Sequence, residues 1–507
     1  MESRTRKAKR NIASSLMAQG VSAACGLIVP QMMIRAFGSE LYGATASIAH
    51  FLAYISLIEG GIAGVARAAL YKPLANGDVN AVSVVYNEIT RFFRKIGIVF
   101  VIYSAVLACC YRSIAGNSSL EWLFSFGLVL VISISTMGQY FFGISNSILI
   151  QSDQRQYVIN ILSMLTLITN TLFIIMLTYI GCGIIVVKLV SSCIYIIRPM
   201  VLTLYVKGHY KLLPVRECTR SISLTQKWTA LGQHIAYFLH SNTDVVVLTI
   251  FADLKTVAVY SVYNMIIAGI RDLTSAFYNG LEAVFGNMYA KGELESLKKV
   301  FGYYETLISV ISVTLYSATA ALIVPFVKLY TMGITDTNYV NAEFAIMAVL
   351  AEIVYTLRTP YHYLSNAANR FKETRTAAYG EAVINILFSV ALVFKFGIIG
   401  VAAATLAATA FRSVFYAVYI SKHILQRRIF AYIKRNIING LAFTAIFIAG
   451  GWTVSLVGTE NYLKWTICGL LVFALSLIIS LLTNMMFYRG DILAILSRTR
   501  IGKSVIS

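Results

Sequence analysis

Residues 465–487 read WTICGLLVFALSLIISLLTNMMF, a run without one charge or one proline. At 1.5 Å per residue such a helix is about 35 Å long, enough to cross the ~30 Å hydrocarbon core of a bilayer. Stretches of the same kind recur along the whole chain. Of its 507 residues, 58% are hydrophobic and only 13% are charged. A soluble domain carries about 25% charge. This chain cannot cover a water-facing surface, so the composition specifies an all-α polytopic membrane protein.

Walking the chain at that length gives fourteen spans, at about 12–37, 42–66, 96–111, 121–149, 158–178, 183–205, 230–252, 257–278, 301–327, 342–364, 377–396, 398–420, 437–457 and 465–487. Basic residues test the layout. With the N-terminus in the cytoplasm and the spans alternating, thirty of the forty-two Lys and Arg fall inside, six in outside turns and six within spans. One missed helix would exchange the two sides downstream, so the asymmetry supports the count and places both termini in the cytoplasm. The third span is short. Gly397 leaves room only for a tight turn between the eleventh and twelfth. The longest extramembrane stretches, 67–95 and 206–229, are basic and inside, and are expected to be amphipathic helices lying on the membrane surface.

The same distribution explains the net charge of +20 and removes nucleic acid as a partner. Seven Cys include no CxxC pair and no Cys/His cluster at metal-ligand spacing, so neither a metal nor another cofactor is expected. The basic run from Arg4 to Arg10 leads into an apolar stretch too long for a signal peptide and is read as an uncleaved first helix. Gly502-Lys503-Ser504 resembles the end of a phosphate-binding loop, but Ser497 stands where its first Gly is required. No HExxH, GxSxG or dinucleotide glycine set occurs, and no outside loop exceeds about fifteen residues, too few for a catalytic domain. The chain is not expected to be an enzyme.

Two stretches repeat a pattern. Phe37-Gly38-Ser39-Glu40-Leu41 precedes Ala75-Asn76-Gly77-Asp78-Val79, and Phe251-Ala252-Asp253-Leu254-Lys255 precedes Ala290-Lys291-Gly292-Glu293-Leu294 at nearly the same interval. An offset of six spans keeps both copies in one orientation, the arrangement of two parallel six-helix lobes with a substrate site between them. The expected organisation is a first lobe at 1–206, a cytoplasmic linker at 207–229, a second lobe at 230–420, and two added, peripheral helices with a tail at 421–507.

Local features extend this. Asn11 and a first helix ending Arg35-Ala36-Phe37-Gly38 are followed by Leu41-Tyr42-Gly43, then Glu59-Gly60-Gly61-Ile62 with Arg67. Gln151-Ser152-Asp153-Gln154-Arg155 forms a loop, and Asp244 precedes Val257-Ala258-Val259-Tyr260. In these motifs and in its helix plan the chain resembles the polysaccharide flippases of the O-antigen type, within the multidrug/oligosaccharidyl-lipid/polysaccharide exporter superfamily. The resemblance implies a V-shaped cavity that opens alternately to the two sides of the inner membrane. It implies translocation of an undecaprenyl-pyrophosphate-linked oligosaccharide, an O-antigen or other surface polysaccharide unit. Membrane lipids, a polysaccharide polymerase and a chain-length regulator are the implied partners.

A charge near the bilayer centre costs about 2.5–3.5 kcal/mol on insertion scales, so it is expected to face a wet cavity or a partner. Arg stays ionised and binds phosphate bidentately. Arg35, Arg67, Arg271 and Arg358 are therefore the candidates for a cationic cavity lining that holds the lipid pyrophosphate, with Arg198 and Arg412 as second choices. Glu59, Asp244, Asp272 and Glu352 are the candidates for coupling or pairing. Arg67 lies eight residues after Glu59, two turns along one face, whereas the six-residue spacing of Glu352 and Arg358 is a poor match to a helix. Two other function classes stay open. An ion-coupled multidrug antiporter of the same superfamily would want acids in the first lobe, where spans 1 and 2 offer only Glu59. A polyprenyl-dependent polymerase or glycosyltransferase would want a large outside loop.

Overall fold

The computed structural model describes residues 4–59, 62–116, 118–213, 231–278 and 280–498, and among these every regular element is a helix. The chain forms two compact units, Met1–Phe238 with Leu248–Ala258, and Leu239–Val247 with Val259–Ser507.

In the first unit, α1 (Arg4–Ala53) breaks at Gly38, whose φ of 82° suits a residue without Cβ. Its second leg continues through α2 (Ser56–Glu59) and α3 (Ile62–Asn76). A turn at Gly77, φ +67°, leads to Asp78, whose side chain accepts from the Ala81 amide and caps α4 (Val79–Ile114). The next leg is α5 (Trp122–Gly138), one π-helical turn at Gln139–Gly143, and α6 (Ile144–Ser152). Helices α7 (Gln156–Tyr179) and α8 (Ile184–His209) complete the unit. Ile89, Phe93, Phe100, Tyr111, Leu128 and Leu149 form its centre.

Helix α9 (Leu231–Phe251) and the start of α10 (Leu254–Tyr278) are divided between the units, with Leu248–Ala258 in the first. In the second unit, α10 and α11 (Leu281–Ala290) meet at Gly280 with φ +99°. Helix α12 (Leu294–Tyr330) is the hub, with 78% of its most apolar window buried. Against it lie α13 (Ala342–Ala367), α15 (Phe430–Val457) and α16 (Tyr462–Phe487). Helix α14 (Phe371–His423) packs along α13 and breaks at Gly397, φ 53°. Helix α17 (Arg489–Arg498) ends the described chain.

Dividing α1 and α14 at their glycines, and joining the interrupted legs, gives fourteen transmembrane legs. Among the described residues nine helices are long and apolar enough to cross a membrane. Helices α10 and α13 have the length but are more polar, because they carry Arg271, Asp272, Glu352 and Arg358. The start of α10 lies so close to α1 that a Cβ on Gly43 would sit 1.7 Å from the Leu254 carbonyl oxygen.

One expectation is corrected. The stretch 67–95 is not a helix lying on the surface; it is the end of α3, a tight turn, and the start of α4. Helix α4 runs 36 residues, about 54 Å, so its basic end with Arg91, Arg94 and Lys95 prolongs a spanning helix beyond the bilayer. This also explains the short third span: only part of a long helix needs to be apolar. The companion expectation for 206–229 falls mostly on 214–230, and Gly60 and Gly61 likewise lie outside the described residues.

The two added helices are exposed over most of their length, with Trp452 at 72% and Leu456 at 86%. The start of α15 and the end of α16 are nonetheless anchored. Glu305 of α12 accepts two bonds of 2.9 Å from Arg427 and lies 3.5 Å from Arg435. Arg435 in turn reaches Asp491 of α17 at 3.6 Å, and Asp491 accepts from Thr306 of α12 at 2.8 Å.

Candidate functional site: charges inside the membrane spans

The chain distributes its intramembrane charges unevenly. First-unit spans carry Arg35, Arg67, Lys188 and Arg198 against Glu59; second-unit spans carry Arg271, Arg358 and Arg412 against Asp244, Asp272, Glu282, Glu305, Glu352 and Glu381. The structure shows which of these are neutralised.

In the second unit every one of the three arginines meets a carboxylate. Glu381 of α14 takes two: Arg358 of α13 at 2.8 Å, and Arg412 from the second leg of α14 on its other oxygen. All three side chains are at most 5% exposed. Arg412 also reaches the Tyr416 hydroxyl at 3.4 Å, and the Arg358 guanidinium lies over the Tyr355 ring. One break in helix geometry makes this possible, since the turn at Gly397 folds α14 back so that residues 381 and 412 face one another. A triad of this kind is a packing element, because stripping one partner leaves a buried charge uncompensated.

Arg271 of α10 pairs with Glu352 of α13 at 3.4 Å. The other Glu352 oxygen, Oε1, is buried with no hydrogen-bond partner among the described residues. Both side chains line a cavity of about 70 Å³ with Asp244, Tyr260, Asn264 and Thr405. Asp244 accepts from the Tyr260 hydroxyl at 3.1 Å and from the Thr405 hydroxyl at 3.0 Å, and Thr405 accepts in turn from Asn385 at 3.1 Å. A volume of this size holds a few waters. It is too small for a sugar-bearing headgroup. Asp272 is exposed. No group of three His, Cys, Asp or Glu able to hold a metal occurs among the described residues.

The first unit is different. Glu59 accepts from the Tyr140 hydroxyl of the π-helical turn. Arg67 donates to the Gln151 side-chain oxygen at 3.1 Å, a neutral amide, and no carboxylate lies within ion-pair distance of it among the described residues. Arg35 is exposed at the end of the first leg of α1. Lys188 and Arg198 of α8 are half-buried. Neither has a carboxylate or a hydrogen-bond acceptor among the described residues, and the Arg198 Nε is fully buried without one.

Of the six arginines singled out by sequence, the structure brings Arg358 and Arg412 together on Glu381 and gives Arg271 to Glu352. Arg35, Arg67 and Arg198 share no partner. Glu381 and Lys188 went unchosen in the sequence. Glu381 lies 23 and 31 residues from its two arginines, a spacing no single-helix rule connects.

Comparison with known protein families finds no match, and no curated protein matches in sequence. Solved structures do match. A lipid II flippase, MurJ, in an inward closed conformation superposes with a TM-score of 0.68 at 16% identity, covering 95% of this chain and 100% of that one. The likeness is one of fold. An inward-facing multidrug resistance MATE transporter of the MOP superfamily gives 0.58 at 14% identity, over 79% of this chain and 94% of that one. The MATE transporter DinF-BH in complex with R6G gives 0.59 at 13% identity, over 83% and 97%.

Proposed function

We propose that this protein is a flippase for a lipid-linked oligosaccharide, moving an undecaprenyl-pyrophosphate-linked surface polysaccharide unit across the bacterial inner membrane by alternating access. Residues 1–206 and 230–420 serve as its two lobes, both termini lie in the cytoplasm, and a polymerase and chain-length regulator act on its product. The observation that carries the reading is the uncompensated positive charge of the first unit, at Arg67, Lys188 and Arg198. A cation near the bilayer centre, as Arg198 is, costs about 2.5–3.5 kcal/mol, and an anionic headgroup offsets that cost where a cationic drug would raise it. The likeness to a lipid II flippase over 95% of the chain supports the same class of cargo. Within this reading the cationic lining draws on Arg35, Arg67 and Arg198, while Arg271, whose 3.4 Å ion pair is longer than those of Arg358 and Arg412, is the second-unit arginine best able to exchange its carboxylate for a phosphate. Asp244, Glu59 and Glu352 are the acids available for ion coupling.

A strain lacking the gene tests this. Lipid-linked units should accumulate with their sugars facing the cytoplasm, and the wild-type gene should restore export. Units that reach the outer face but stay unpolymerised would make the protein a polymerase. Unchanged units with lost resistance to organic cations would make it a multidrug antiporter.

A further inference from the structure

Within its apolar length helix α8 bears two cations, Lys188 and Arg198, that no carboxylate among the described residues neutralises. It runs from Ile184 to His209, and at 100° per residue Lys188, Ser191, Tyr195 and Arg198 fall within an arc of about 80°. The opposite side, with Val186, Ile197, Met200 and Leu204 at 46–68% exposure, is the apolar face suited to lipid. The cations therefore point inward. Tyr195, between them, neighbours both Arg198 and Cys25 of α1.

Depth separates the two. Arg198 lies about 21 Å from the Ile184 end and about 17 Å from the His209 end, too far for its side chain to reach either interface. Lys188 is about 15 Å further toward the Ile184 end, which faces outside when the N-terminus is cytoplasmic. Their chemistries differ in the same order. A guanidinium offers a planar fork that fits a pyrophosphate bidentately, whereas an ammonium is a compact, strongly hydrated charge that exchanges readily with water.

We propose that Arg198 and Lys188 are successive phosphate-binding residues along α8: Arg198 grips the pyrophosphate at mid-membrane and Lys188 receives it on the way to the outer face. This rests on the flippase reading and assigns it a path within the first unit. Neither residue needs a partner from the protein, because the headgroup is the partner.

The test uses the purified full-length protein in lipid nanodiscs, titrated with undecaprenyl pyrophosphate, undecaprenyl phosphate and inorganic pyrophosphate. Wild type should bind the lipid pyrophosphate saturably, with inorganic pyrophosphate competing. Arg198→Met should weaken that binding about tenfold to hundredfold, the range for losing a charged hydrogen bond. Arg198→Lys should recover only part of it. Lys188→Met should leave equilibrium binding within about threefold yet slow translocation in reconstituted vesicles. Since neither side chain supports the fold, thermal unfolding of all three variants should not fall below wild type. Wild-type affinity in Arg198→Met would overturn the assignment while leaving the flippase reading in place. No saturable binding of the lipid pyrophosphate by wild type would overturn both.

Discussion

The two units treat buried charge in opposite ways. In the second, Glu381 holds Arg358 and Arg412 in a closed triad and Glu352 holds Arg271. In the first, Arg67 has only an amide and Lys188 and Arg198 have no acceptor among the described residues. The lesson is that an arginine in a membrane span is not by itself evidence of a binding site. A paired one supports the fold and is expensive to remove. An unpaired one contributes nothing to the fold and is free for a ligand.

Substitutions sharpen or break that contrast, beginning with the largest effect. Glu381→Leu strands two buried guanidinium groups and should cost about 3–5 kcal/mol, read as a large drop in apparent unfolding temperature in detergent. A mild effect there would mean the triad is not structural. In the first unit the sensitive position is a glycine, not a charge. Gly43→Ala would force its Cβ into the Leu254 carbonyl and should cost about 1–3 kcal/mol, visible in the same measurement. Asp153, between α6 and α7 of the first unit, pairs with Lys7 at 3.0 Å and Arg155 at 2.7 Å, all three partly exposed. Asp153→Asn should cost about 1 kcal/mol or less. Arg198→Met removes an uncompensated buried charge and should cost no stability, leaving unfolding at or above wild type while impairing transport. Equal destabilisation by Glu381→Leu and Arg198→Met would erase the distinction between the units.

Much of the fold is legible in the sequence because one signal dominates it. Apolar runs near twenty residues and the bias of Lys and Arg set the helix count, and Gly397 alone marks where one long helix must fold back. The stretch 67–95 misleads for a physical reason: a helix does not stop where its apolar part stops, and α4 carries Arg91, Arg94 and Lys95 past the bilayer without a break. The inventory of charges is equally legible, but the pairing is not. Glu352 and Arg358 are neighbours in sequence yet turn to different partners, Arg271 and Glu381. Glu59 and Arg67, at a favourable spacing, engage Tyr140 and Gln151. Partner choice is fixed by which helices pack together, information a single helix does not contain.

Translocation in reconstituted vesicles tests the central claim most directly. Purified wild type, Arg198→Met and Arg198→Lys would each be given a labelled undecaprenyl-pyrophosphate oligosaccharide, and its arrival on the opposite leaflet would be timed. The account predicts translocation by wild type, a loss of tenfold or more in Arg198→Met with the fold intact, and partial rescue by Arg198→Lys. Translocation by Arg198→Met at the wild-type rate would contradict it.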